Sequence, residues 1–152
     1  MLESLAFALV KTFISFMFEH HLENMQSIRI EGAPGWYSQQ TVDHICDSGF
    51  GYGNLEAVEK AKSGARKQMV LRLDRALEIV VYENFRDKTD PTERALIDRF
   101  KQDEDLPLFV ESNVVYGNIE YQQERSTAYA RVCLSKERLL EYQNERVEKL
   151  RK

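Results

Sequence analysis

The chain has 152 residues, of which 43% are hydrophobic and 30% are charged, a balance typical of one soluble globular domain with a core of its own. This composition excludes global disorder, and the formal net charge of −4 argues against a nucleic-acid partner, which would require a basic surface. The apolar N-terminal run lacks the marks of a signal peptide and, at about 16 residues, is shorter than the roughly 20 that span a membrane.

Residues 1–24 are predicted to form an apolar amphipathic helix that acts as an anchor or assembly segment. One narrow stripe carries the polar or small residues Ser4, Ala8, Lys11 and Ser15. The opposite side carries Leu5, Leu9, Phe13, Phe16 and Met17. So much apolar surface must contact a partner or second copy, lie on a membrane through residues 2–18, or cover the domain's own core. Partner contact is favoured, so these five side chains are predicted interface residues.

Residues 25–42 are predicted to be a linker, because Gly32, Pro34 and Gly35 interrupt any regular structure there. The linker contains the aromatic pair Trp36 and Tyr37. Such a pair after Pro-Gly usually plugs the edge of a core. The alternative is that both residues anchor a protein interface, since Trp and Tyr are enriched at binding hot spots.

Residues 43–152 are predicted to form a single α+β domain. Residues 43–53 are its first strand, and Asn54 is predicted to cap a long helix that ends near Phe85. The apolar stripe of this helix follows helical spacing through Leu55, Val58, Ala61, Ala65, Met69, Leu73, Ala76 or Leu77, and Val80. Its last part, Ile79–Tyr82, is β-branched and could instead be strand.

The run Gly49–Gly53 lies between this strand and this helix, which suggests a ligand cradle. The spacing is GxGxG, however, and not a dinucleotide or phosphate-loop pattern. No second parallel strand with an acidic end follows. Nucleotide binding is therefore disfavoured. Binding of another small molecule at Gly49–Gly53, beside the long helix, is kept as the alternative function.

The rest of the domain contains a second helix, a hairpin and a final helix. Asp90-Pro91 is predicted to open the second helix, which ends near Gln102. Two alternating strands, 114–121 and 128–134, form an antiparallel hairpin with one face on a core. In the first of them Val115, Gly117, Ile119 and Tyr121 are expected to share a face. Ser135 caps a mostly charged C-terminal helix. The predicted fold is α+β: a long helix on an antiparallel sheet of about three strands, with an apolar N-terminal helix.

No catalytic, metal or cofactor site is predicted. His44 and Cys46 share a strand face, but neighbours on one strand rarely converge on a reacting atom, and no third ligand is evident. Cys46 and Cys133 either form one disulfide in an oxidising compartment or are two buried free thiols.

The order of several motifs resembles a family of small bacterial envelope lipoproteins. The resemblance rests on Pro34-Gly35-Trp36-Tyr37, on GFGYG, and on a helix with Ala57, Ala61, Ala65 and Arg66. It continues in the strand Ala128–Leu134 that leads into Ser135-Lys136, and so covers about residues 33–140. The family includes the Helicobacter twenty-kilodalton lipoprotein and the flagellar-assembly protein FlgP.

The resemblance implies a helix packed on a small antiparallel sheet, an envelope location and a structural role without catalytic residues. A lipoprotein carries a cysteine directly after its apolar N-terminal segment, and here no cysteine precedes Cys46. Residues 2–18 would then serve as an uncleaved anchor or an assembly helix. The predicted function is a non-enzymatic assembly protein of the envelope, associated with motility, that binds other proteins and its own copies. It would lie on the periplasmic side, with the cytoplasm as the alternative.

Overall fold

A computed structural model of the chain describes residues 2–25, 32–38 and 43–150. Its helices and strands, in chain order, are α1 (Leu2–Met25), β1 (His44–Tyr52), α2 (Ala57–Phe85), α3 (Pro91–Lys101), α4 (Leu106–Asn113), β2 (Val115–Gln122), β3 (Thr127–Ser135) and α5 (Lys136–Leu150). Short 3-10 turns lie at Gly35–Ser38 and Gln123–Arg125. The α+β fold and the packing of the long helix on the sheet are as predicted.

The three strands form one sheet in the order β1-β3-β2, and both outer strands run antiparallel to β3. The helix α2 covers one face of the sheet, here called the inner face, to which Ile45, Asp47, Gly49 and Gly51 of β1 belong. The other face, the outer face, carries Cys46 and Ser48. The register of β2 on β3 shifts between Tyr116 and Asn118, which places a β-bulge at Gly117.

The N-terminal helix α1 belongs to the main core of the domain. Leu9 and Phe13 are 0% and 1% exposed, and Leu5 and Met17 are also buried. They pack in one cluster with the apolar side chains of α2, α3 and α5. The apolar side of α1 is therefore covered by the chain itself.

Two predictions about residues 1–24 are corrected by this packing. The helix is not a separate anchor or assembly segment, and Leu5, Leu9, Phe13 and Met17 are not available to a partner or a membrane. Phe16 is half-buried and packs against the same core. The stripe Ser4, Ala8, Lys11 and Ser15 is exposed, as its polarity predicted. None of the helices in the described part of the chain is both long and apolar enough to span a membrane.

The helix starts agree with the sequence patterns in two cases and disagree in one. The carboxylate of Asp90 accepts hydrogen bonds from the backbone N–H groups of Thr92 and Glu93, which caps α3. The Ser135 hydroxyl accepts from the N–H of Arg138 in the same way at the start of α5. Asn54 does not cap α2, which begins at Ala57 with no side-chain cap.

Candidate functional site

The helix α2 lies very close to the sheet at Gly49 and Gly51 of the glycine run. A Cβ at Gly49 would lie 2.5 Å from the backbone oxygen of Ala61, and one at Gly51 would lie 2.5 Å from that of Ala57. Both distances are far below van der Waals contact. The space beside the glycines is thus filled by helix backbone, which leaves no room for a ligand between strand and helix at these two positions.

A recognisable signal lay in the sequence for this contact. Glycines at alternate strand positions leave one face of the strand without side chains. Small residues four apart leave one face of a helix without large side chains. The helix supplies Ala57, Ala61 and Ala65, all fully buried. Gly49 and Gly51 are therefore explained by packing, and Gly53 by its positive φ of 119°, so the small-molecule binding alternative loses the feature that suggested it.

The inner face also holds a buried ion pair. Asp47 of β1 lies 3.5 Å from the Nε of Arg72 on α2, and both side chains are largely buried. Burial raises the pKa of Asp47 to about 6, against the opposing effect of the Arg72 charge. Asp47 Oδ2 and Arg72 Nη1 have no hydrogen-bond partner. The pair is a structural contact between strand and helix with one incompletely satisfied carboxylate.

One residue of the predicted linker, Tyr37, packs against the outer face of the sheet. Tyr37 is buried and meets the ring of Tyr129 edge to face, with 5.7 Å between ring centroids. Its backbone oxygen accepts a 2.5 Å hydrogen bond from the Ser48 hydroxyl. Burial raises the pKa of the Tyr37 hydroxyl to about 12. Tyr37 is consequently a core residue and not an interface anchor, whereas Trp36 stays half-exposed. The remainder of the linker, residues 26–31 and 39–42, lies outside the described residues.

Cys46 and Cys133 lie directly opposite each other on β1 and β3 and form a disulfide, with 4.1 Å between their Cα atoms. His44 is exposed at the start of β1. A cysteine in a disulfide offers no thiolate, so the Cys46–His44 pair cannot act as a nucleophile and base in this state. The residues that the structure describes contain no group of three or more His, Cys, Asp or Glu placed to hold a metal ion.

A charged cluster joins the turn between α3 and α4 to α5. The Asp103 carboxylate accepts from the Tyr142 hydroxyl at 2.8 Å and lies 3.6 Å from the Nε of Arg146. Tyr142 stacks on Phe109, and the Arg146 guanidinium lies 4.3 Å above the Phe100 ring. Burial and the bond to Asp103 raise the pKa of Tyr142. An open cavity of about 330 Å³ adjoins the cluster. Because both carboxylate oxygens are bonded, the cluster fastens helices together and presents no reactive group.

The strand β2 is the candidate functional surface. It is an edge strand, and Val115, Ile119 and Tyr121 are 67%, 46% and 39% exposed. Val115 is paired with Cys133 and so belongs to the outer face, whereas Ile119 and Tyr121 are paired with Ala130 and Ala128 on the inner face. The prediction that these residues share one face is wrong, since the bulge at Gly117 inserts one residue between them.

The helix α2 leaves most of β2 uncovered. It lies over β1 and β3, and it meets β2 chiefly at Tyr116, whose hydroxyl accepts a hydrogen bond from Arg66. The Lys62 ammonium lies 5.2 Å from the centre of the same ring. Beyond the bulge, α2 packs on β1 and β3 and not on β2, so Ile119 and Tyr121 remain exposed although they face the helix side.

The fold and this surface define a small α+β domain with an uncovered sheet edge. No family model, curated protein or solved structure matched the chain. The family resemblance therefore stays a prediction from motifs.

Proposed function

We propose that the protein is a non-enzymatic assembly protein that associates with further copies of itself through the edge strand β2. The observation that carries this proposal is the exposure of apolar side chains along a strand whose outward backbone groups have no partner among the described residues. Such an edge is a template for pairing with another strand.

The composition of β2 supports a second copy as the occupant. Natural edge strands that must stay single carry Lys, Pro or inward-pointing charges. The sequence VYGNIEYQ has one charge, Glu120, and no Lys or Pro. Two copies of this strand would meet with little repulsion although each chain carries a net charge of −4. The bulge at Gly117 is a protective feature of the edge.

An antiparallel pairing centred on Ile119 would be self-complementary. Ile119 would lie opposite Ile119 of the second copy. Tyr121 would lie opposite Gly117 of the second copy, which has no side chain to occupy the space. Asn118 would lie opposite Glu120. Aromatic and β-branched cross-strand contacts of this kind each contribute roughly 0.2–1 kcal/mol relative to alanine pairs.

An oxidising location such as the periplasmic side of the bacterial envelope is part of the same proposal. The Cys46–Cys133 disulfide supports it, because disulfides persist outside reducing compartments. The family resemblance supports the envelope and adds the association with motility. Fractionation of cells tests this part, and recovery of the protein in the cytosolic fraction alone would contradict it.

The assembly is tested by sedimentation of the wild-type chain and of Ile119→Lys over a range of concentrations. The wild type should form a dimer, and Ile119→Lys should shift it towards the monomer by placing two like charges opposite each other. Leu108→Lys is the matched control, since Leu108 is 64% exposed on α4, away from the sheet. The free energy of unfolding of each variant should lie within about 0.5 kcal/mol of the wild-type value. A wild type that stays monomeric at every concentration would refute the proposal.

A further inference from the structure

We propose that the Cys46–Cys133 disulfide is a thiol–disulfide exchange site, and that Arg131 favours its reduced form by holding Cys46 as a thiolate. The proposed partner is a dithiol, either a small molecule or a dithiol protein. The inference is independent of the β2 edge, because it concerns the outer face between β1 and β3.

The first observation is the position of Arg131. Its side chain is only 8% exposed, and its Nη2 donates to Cys46 Sγ at 3.3 Å. Its Nε has no hydrogen-bond partner, and no carboxylate of the described residues lies within ion-pair distance of it. A buried cation without an anion is costly, and burial lowers the pKa of this guanidinium accordingly.

Two other arginines with largely buried side chains each have a carboxylate beside them. Arg72 has Asp47 at 3.5 Å, and Arg146 has Asp103 at 3.6 Å. Arg131 instead points at a sulfur atom that is neutral in the disulfide and becomes negative on reduction. Reduction thus supplies the anion that the oxidised site lacks, and a cation beside a thiolate stabilises it.

The second observation is the unequal access to the two sulfur atoms. Cys46 is 1% exposed, whereas Cys133 is partly exposed beside Val115, its 67% exposed partner on β2. A nucleophile therefore reaches the sulfur of Cys133. The buried sulfur of Cys46, which Arg131 contacts, is then the leaving group.

The exchange follows from this asymmetry. A thiolate of the dithiol attacks Cys133 Sγ, a mixed disulfide forms, and the bond between Cys46 and Cys133 breaks with both electrons passing to Cys46. The second thiol of the reductant, once deprotonated, attacks the first sulfur of the reductant, which is bonded to Cys133 Sγ in the mixed disulfide. Cys133 leaves and takes up a proton, and the reductant is released as its disulfide. Two electrons have passed to the protein, which ends with the Cys46 thiolate and the Cys133 thiol.

The test is the equilibrium of the folded chain with a dithiothreitol buffer, read from the fraction reduced. Arg131→Met should lower the equilibrium constant for reduction roughly tenfold, since the thiolate loses its counter-ion. Arg66→Met is the matched control: Arg66 is half-buried on the inner face and bonded to Tyr116, so its loss should leave the constant unchanged. An equal constant for wild type and a folded Arg131→Met would overturn the proposal.

A second measurement does not depend on the folding of Arg131→Met. The reduced wild-type chain should show the ultraviolet absorbance of one thiolate at neutral pH. Cys133→Ala should keep that absorbance and Cys46→Ala should lose it. A reduced wild type without a thiolate signal, or a signal that persists in Cys46→Ala, would overturn the assignment to Cys46.

Discussion

The helix α1 and the strand β2 are both rich in apolar side chains, yet one is covered and the other is not. In α1, Leu9 and Phe13 are completely enclosed by neighbouring helices. In β2, Val115 and Ile119 are exposed, although their alternation is typical of a strand with one buried face. Apolar periodicity identifies which side of an element avoids water, but it does not identify what covers that side.

The difference has a physical origin in how much surface must be hidden. A helix with an apolar side several turns long cannot stay in water, and this chain supplies the covering helices itself. A short edge strand exposes only a few side chains, and its backbone is paired on one side in any case. The edge can therefore remain open as a surface for association, whereas the helix cannot.

The strongest test of this contrast is a pair of identical substitutions in α1. Phe13→Ala removes a side chain that is 1% exposed, and it should lower the free energy of unfolding by about 3–5 kcal/mol. Phe7→Ala, at a position that is 41% exposed, should cost about 1 kcal/mol or less. Urea denaturation of both variants measures the two losses. Equal losses would mean that α1 does not pack in the core as described.

Glycine substitutions extend the contrast to the sheet. Gly49→Ala places a Cβ 2.5 Å from the Ala61 backbone oxygen, so strand and helix must separate, and the expected loss is up to about 3 kcal/mol. Gly117→Ala adds the same atom on β2, where nothing lies within 4 Å, and should change stability by no more than about 0.5 kcal/mol. Thermal unfolding compares the two. A tolerated Gly49→Ala would contradict the close contact of α2 with β1.

The smallest expected effect concerns the charge of Asp47 on the inner face of the sheet. Burial raises the pKa of Asp47 from 3.8 to about 6, so the folded state favours the protonated carboxyl. This contribution to stability is complete below about pH 4 and is lost as the pH rises through about 6. Between these values the wild type should lose on the order of 2 kcal/mol relative to Asp47→Asn.

Unfolding free energies of the wild type and Asp47→Asn, measured at several pH values, provide the comparison. Only the difference in pH dependence is informative, since Asp47→Asn also removes the partner of Arg72. Parallel curves for the two proteins would show that Asp47 does not titrate in this range.

Much of the fold could be predicted because local signals agreed with the tertiary structure. The cap at Asp90 and the alternation in β3 are examples, and so is the small-residue stripe of α2. The helix α4 was missed since it has eight residues, begins next to Pro107, and follows three acidic residues that indicate a bend. Leu55 fits the apolar stripe of α2 by spacing but precedes the helix and is 96% exposed.

The surfaces that matter for function were harder to predict. The bulge at Gly117 reverses the facing of Val115 relative to Ile119, and a single glycine in a strand does not reveal which strand lies at the edge. The absence of a carboxylate beside Arg131 depends on how the three strands pair and on which face of the sheet each side chain lies. The alternation of β3 does place Arg131 and Cys133 on the same face of the strand. That alternation is the signal in the sequence for the proposed exchange site at Cys46 and Cys133.

The strand order has a consequence for the symmetry of any complex. Because β1 and β2 both run antiparallel to β3, the two edges of the sheet point in the same direction. A β2–β2 contact uses one edge of each copy, obeys a twofold axis and stops at two subunits. A β2–β1 contact is head-to-tail and leaves a free edge at each end, so it continues into a ring or a filament. The number of subunits thus reports which edge meets β2.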